Sequence, residues 1–308
     1  MKYLSANEYY KKIFGHKVYK ISLDAGCTCP TRDGTKSTKG CIFCSPQGSG
    51  EFCSDRNLSI TDQIEQAKNL VQKKIKNLSN VQSKYIAYFQ NFTNTYGDEN
   101  LLVQKYLDAL SNPEIVGIAI GTRPDCLSDS MLEKINLLSK KDFPLEYSFG
   151  KKYFSIEFGL QSSKDSTCKY INRLYENSEY VDAINRVKKV NKNIHIVSHI
   201  IFGLPGESKE DMLNSVNFAL ASGTDGLKFQ VLNVLTGTEL EKEYLLSKFK
   251  VLEMGEYFEI IKSALKIVPS NVVIHRLTGD GPKKLLIAPK WVSDKKRVLC
   301  EILKLQAE

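Results

Sequence analysis

No stretch of the 308-residue chain is both long and apolar enough to span a bilayer, which argues against a membrane protein. The opening segment, MKYLSANEYYKKIFG, has charges at Lys2, Glu8, Lys11 and Lys12 and lacks the apolar centre of a secretory signal. The expectation is therefore a cytoplasmic protein with no membrane partner, whose thiols stay reduced rather than forming a disulfide framework. Internal repeats and low-complexity runs are also missing, leaving one large α/β domain or a core plus an appendage. Charge is not strongly one-sided. The 43 basic and 35 acidic side chains give +8, which fits a phosphate-bearing partner but is equally common in enzymes that never touch nucleic acid.

What the chain does have is a dense group of thiols. Four of its eight cysteines, Cys27, Cys29, Cys41 and Cys44, fall within residues 27–44, around a polar loop bearing Pro30, Asp33, Gly34 and Gly40. Four thiolates could close the coordination sphere of a structural zinc. Alternatively, three could hold a [4Fe–4S] cluster and leave one iron open to a ligand. Cys53, Cys126, Cys168 and Cys300 are scattered, without the spacing of a second centre, and read as small buried hydrophobes.

Hydrophobic periodicity gives six strand-then-helix units and no tandem hairpins. The strands read as 18–24, 85–91, 115–121, 153–160, 194–203 and 225–234. Helices are expected over 5–14, 59–78, 100–111, 128–139, 178–190 and 208–222. Ser59, Ser178 and Ser208 read as caps, and Ile64, Ala67, Val71, Ile75 and Leu78 as the buried stripe of the second helix, with Lys73, Lys74 and Lys76 wet. This alternation predicts a parallel sheet with right-handed crossovers. Polar residues recur on one strand face: Glu157 and Gln161, His195 and His199, Lys228 and Gln230. A sheet buried on both sides rarely tolerates them, whereas a ligand-bearing lumen does, so the expected fold is a partial (β/α)₆ TIM-like barrel over 1–235. The cysteine loop then follows the first strand, at the barrel end where such folds place their chemistry. Residues 236–308 form a C-terminal α/β extension with helices near 239–247, 251–267 and 293–306 and a strand at 272–275.

The run Cys29-x₁₁-Cys41-x₂-Cys44, with Phe43 inside it, resembles the cluster loop of radical S-adenosylmethionine (SAM) enzymes. The long first gap is similar to the branch related to the catalytic subunit of Elongator, which modifies tRNA. So, in order, are YFQNFTNTYG, GTRPDCL, EFGLQS with INRLY behind it, IIFGLPGES and VLTGTEL. The ending HRLTGDGPKKLLIAPKW is similar to a bacterial family within that branch. The resemblance covers essentially the whole chain. It implies a radical SAM enzyme with a [4Fe–4S] cluster held by Cys29, Cys41 and Cys44, leaving Cys27 as a neighbour. The acetyltransferase domain of Elongator's subunit has no room here.

The resemblance also implies contacts to SAM. Gln90, Asn91 and Thr93 would face its amino group, unless they form a polar turn stabilised by its own side chains. Glu157 would accept from the ribose, or else pair with Lys228 or Arg173. Arg173 would reach the carboxylate with its planar fork, or make an ion pair. The turn at Gly203, Leu204 and Pro205 would lie against the adenine. Arg123 and Asp125 could brace a loop or meet substrate. Lys283, Lys284, Lys290, Lys295, Lys296 and Arg297, with Trp291 among them, could contact RNA phosphates and stack a base, or form a solvated helix face.

By kinship, the implied substrate is tRNA, at the wobble uridine side chain, for example carboxymethylaminomethyl to aminomethyl. The implied reductant is a flavodoxin or ferredoxin. A radical SAM enzyme on a small molecule and a non-enzymatic zinc-knuckle RNA-binding protein are the alternatives.

Overall fold

The computed structural model describes residues 2–48, 50–75, 84–146, 148–279 and 281–307. Leu78 and Lys76 of the expected second helix lie outside the described residues, as do the side chains of Lys73, Lys74 and Ile75.

Eight parallel strands form one curled sheet. In chain order they are β1 (Leu4–Ser5), β2 (Val18–Leu23), β3 (Lys84–Phe89), β4 (Ile115–Thr122), β5 (Tyr153–Gln161), β6 (His195–Phe202), β7 (Gly226–Val231) and β8 (Val273–Arg276). Their order across the sheet is β1-β8-β7-β6-β5-β4-β3-β2. Six neighbours in succession, β2 to β7, are the six expected strands, so the partial TIM-like barrel is present. β8 corrects the picture of the extension. The strand read as part of an appendage joins the main sheet, Ile274 opposite Leu227 and Arg276 opposite Lys228.

The crossover helices follow their sequence signals. They are α1 (Ala6–Phe14), α2 (Ile60–Ile75), α3 (Glu99–Leu110), α4 (Asp129–Ser139), the short α5 (Asp165–Tyr170), for which no helix is expected, α6 (Asn177–Val190) and α7 (Lys209–Ala221). Ser208 and Asp211 cap α7 reciprocally. The expected cap at Ser178 is displaced: Glu176 takes that place, exchanging bonds with Glu179. Behind the barrel come α8 (Glu239–Leu245), α9 (Met254–Ile267) and α10 (Lys295–Ala307).

The core between sheet and helices is continuous from Ile21 and Phe89 to Tyr257, Ile261 and Ile274, so the extension shares it. Trp291 belongs to this packing. Its indole N–H donates to the Leu252 carbonyl at 2.9 Å and its ring lies 5.5 Å from Tyr257, so the indole is anchored against the core and only partly exposed. Among the described residues no helix is long and apolar enough to cross a membrane.

Candidate active site

The chain between β2 and α2 folds back over the carboxyl ends of the strands. The Pro30 carbonyl accepts from Lys36 and Ser37, the Gly40 N–H donates to Thr31, and the Cys44 N–H closes a turn onto Cys41. Arg32 stitches the loop from inside, donating to the carbonyls of Cys44 and Ser45 at 2.8 and 2.7 Å. Gly40 makes room for it. A Cβ there would sit 3.0 Å from the Arg32 Nε, and φ is +71°. From the far side, the Asn172 amide donates to the Gly40 carbonyl at 2.6 Å.

This fold sorts the four thiols. Cys29, Cys41 and Cys44 line a cavity of about 800 Å³ that runs down into the barrel. Cys27 turns the other way, into the hydrophobic core, where burial pushes its thiol up to about 12. A closed four-thiolate zinc knuckle would need Cys27 on the cavity side. The three cavity thiols are the number that would hold a [4Fe–4S] cluster with one iron left open. Burial, and then the neighbouring Cys44, push the Cys41 thiol up to about 12, so holding three thiolates here takes the compensating charge of bound iron. Thr93 supports the fit. Its backbone N–H donates to Thr28 in the loop, while its buried Oγ1, in the cavity wall, has no protein partner among the described residues.

The other expected SAM contacts divide. Gln90 lines the cavity, where its Oε1 accepts from Ser22 at 3.1 Å. Asn91 is withdrawn from it: its amide N donates to Asp24 at 2.7 Å and its Oδ1 accepts from the Cys53 thiol at 2.5 Å. That is the self-stabilised turn.

Arg173 reaches the cavity wall but offers no free fork. Its five donor hydrogens go to the carbonyls of Leu160, Ser162 and Tyr175 and to the Asn177 Oδ1, and the residue is 1% exposed. In this structure it holds the ends of β5 and of the INRLY turn together. Arg123 does the same one loop away, with both Asp125 oxygens and the Arg173 carbonyl. Gly203 turns the chain after β6 at φ +89°, but Gly203, Leu204 and Pro205 are not among the residues lining the cavity. Leu204 instead packs in the apolar cluster with Ile42 and Phe43 of the cysteine loop, while Ile201 reaches the cavity. The turn therefore seats the loop from below.

The cavity floor is charged, and it includes residues that sequence reasoning passed over. Glu157, mid-strand on β5, accepts from Lys20 on β2 through Oε1 and from Lys228 (2.9 Å) and His199 (2.7 Å) through Oε2. Burial alone would raise this carboxyl, yet Lys20, Lys228 and His199 hold it well below the usual range. So the expected pairing with Lys228 is present, without Arg173, and both oxygens are taken by protein. Lys228 also donates to the Tyr88 hydroxyl at 3.0 Å. His195 lies deeper, on the same face but off the cavity, between Tyr9 (3.1 Å) and His275 (2.9 Å). Lys20 and Tyr88 were missed inside strands read for their apolar pattern, and Arg276 because it falls one residue past the strand expected at 272–275. Period-two alternation with Ser22 was the signal available for Lys20.

Comparison with known proteins follows this geometry. Residues 34–219 match the model of the radical SAM superfamily, and 224–305 match the radical SAM C-terminal domain. The uncharacterized protein YtqA of Bacillus subtilis is 37% identical over 303 residues, 98% of this chain and 89% of that protein. A tRNA-2-methylthio-N(6)-dimethylallyladenosine synthase of Buchnera aphidicola is 27% identical over 183 residues, 58% of this chain and 38% of that protein. In structure the chain is similar to the archaeal Methanocaldococcus infernus Elp3. The TM-score is 0.64 at 17% identity, covering 94% of this chain and 63% of that one. A three-thiol loop over a half-barrel lumen and a family model covering most of the chain agree: the chain belongs to the radical SAM superfamily, whose enzymes use a [4Fe–4S] cluster and S-adenosylmethionine.

Proposed function

We propose that this enzyme modifies tRNA, at the side chain of the wobble uridine, by removing a hydrogen atom from a substituent on carbon 5. Conversion of a carboxymethylaminomethyl group to aminomethyl is the reaction of this class we favour; the two-carbon unit would leave as glyoxylate on addition of water, and the two electrons released would balance the reductive cleavage of SAM. In it, Cys29, Cys41 and Cys44 would hold the cluster, and Gln90 and Thr93 would face the amino group of SAM. Bound there, the cluster and SAM supply an electron and a carbon radical that abstracts hydrogen, with a flavodoxin or ferredoxin as the source of the electron. The chain's own residues orient the reactants and keep water away from them.

The observation that carries this reading is the shape of the cavity. It is deep and polar at its floor, and at about 800 Å³ it has room for a cofactor with one extruded nucleotide beside it. Two further facts support it. The tRNA-named synthase aligns over more than half of the chain, and Lys283, Lys284, Lys290, Lys296 and Arg297 are exposed, as a phosphate-binding face requires.

Mass spectrometry of tRNA nucleosides from cells with and without the gene tests it. The expected result is loss of one modified uridine and accumulation of its precursor. Identical nucleoside profiles would refute the tRNA assignment.

A further inference from the structure

The charged floor is over-supplied with cations. Lys20 and Lys228 share one carboxylate, Glu157, and His199 already takes part of it. Beside them stands Arg276, which β8 brings into register with Lys228 on β7, itself in register with His199 on β6. Among the described residues no hydrogen bond or ion pair engages the Arg276 guanidinium, and its Nε is buried without a partner. The Thr278 hydroxyl, two residues on in the same cavity wall, is also buried and unpartnered. Buried polar groups of this kind are normally satisfied.

We propose that this floor is a subsite for a carboxylate group of the substrate, received by the Arg276 fork beside Lys228. It rests on the reading of the cavity as the substrate chamber. Among the described residues of the floor, the charge balance favours an anion. Three basic side chains, Lys20, Lys228 and Arg276, face one carboxylate, while burial pushes His199 down to about 4 and keeps it neutral. The strain is visible at Lys228. Burial, with the repulsion of Arg276 and Lys20 added, brings its ammonium down to about 7 in spite of Glu157. A bound anion would relieve both. A carboxylate fits because Arg276 is the cation not committed to Glu157, and one planar fork matches two oxygens.

Position separates this subsite from the cysteine loop. Lys20, His199 and Lys228 each stand three residues before the carboxyl end of their strand, about 10 Å below the rim. An acidic substituent reaching down the lumen would meet Arg276 with its reacting carbon nearer the thiols. The carboxymethylaminomethyl group proposed above carries such an acid.

Calorimetric titration of the iron-loaded enzyme, without reductant, tests the assignment with two isosteric pairs. These are 5-carboxymethyluridine against 5-carbamoylmethyluridine, and phenylacetate against phenylacetamide. The acid of each pair that binds should be preferred by about tenfold or more, as for hydrogen bonds to a charged partner. Arg276→Gln should bring the preference to within about twofold, and Arg276→Lys should restore part of it. SAM affinity should stay at the wild-type value in both variants.

A phenylacetate preference that depends on Arg276, with neither nucleoside bound, would uphold the subsite while counting against the uridine reading. The proposal is overturned by equal binding of acid and amide in both pairs, or by a preference that survives in Arg276→Gln. A parallel loss of SAM binding would overturn it by assigning Arg276 to the cofactor. Inorganic phosphate binding where the carboxylates fail would refute the carboxylate assignment.

Discussion

A single arginine shows best how a side chain's partners decide its role. Arg173 stands in the INRLY segment, where the family resemblance implies contact with the SAM carboxylate, and it borders the cavity. Its hydrogens are nonetheless spent on three carbonyls and an amide oxygen, and its plane lies 4.1 Å from the Tyr175 ring centre. Removing it strands several buried acceptors. Arg173→Ala should therefore lower the stability to urea by about 3 kcal/mol or more. Arg173→Lys should lose stability while keeping SAM affinity in the folded fraction. A variant of wild-type stability that fails only in SAM binding would restore the carboxylate role. The cysteines were more legible than this arginine. Spacing alone nominated four thiols, and the resemblance picked three, but the inward turn of Cys27 depends on the path of the loop. Sequence carries the types of residue a site needs. It does not carry the competition for their hydrogen bonds, which decides between the alternatives open for Asn91 and Glu157 and gives Arg173 carbonyls in place of an ion pair.

Among the elements, β5 to β7 were plain in the sequence because runs such as IVSHII and GLKFQV combine branched apolar residues with a polar lumen face. β8 was recognisable as a strand, but not as a neighbour of β7, since parallel pairing across the α8–α9 excursion leaves no local mark. The turn after β6 belongs at this scale too. Gly203 adopts φ +89°, and a Cβ there would meet Leu252 at 3.0 Å. Gly203→Ala should therefore cost about 1–3 kcal/mol, checked by thermal or urea unfolding. Because Leu204 packs with Ile42 and Phe43, the same variant should also loosen the cysteine loop and speed loss of iron to a chelator. Unaltered stability together with unaltered iron retention would mean that the turn does not seat the loop.

At the scale of the whole molecule, the site is a product of closure. The thiols come from the loop after β2, the carboxylate from β5, and Arg276, which has no ion-pair partner among the described residues, from β8 near the other edge of the sheet. The curl of the sheet alone makes them neighbours around one cavity. A barrel six strands wide would have supplied the cysteines and Glu157 without Arg276, so the extension completes the chamber as well as the core. The central claim remains the division of the thiols into three ligands and one bystander. Iron content and the absorption spectrum of anaerobically reconstituted protein, compared between Cys41→Ala and Cys27→Ala, test it most directly. Wild type and Cys27→Ala should each hold about four irons per chain, as a [4Fe–4S] cluster requires, and cleave SAM when reduced, while Cys41→Ala should do neither. Equal loss of iron in the two variants, or a colourless wild-type protein with one tightly held zinc, would contradict the account.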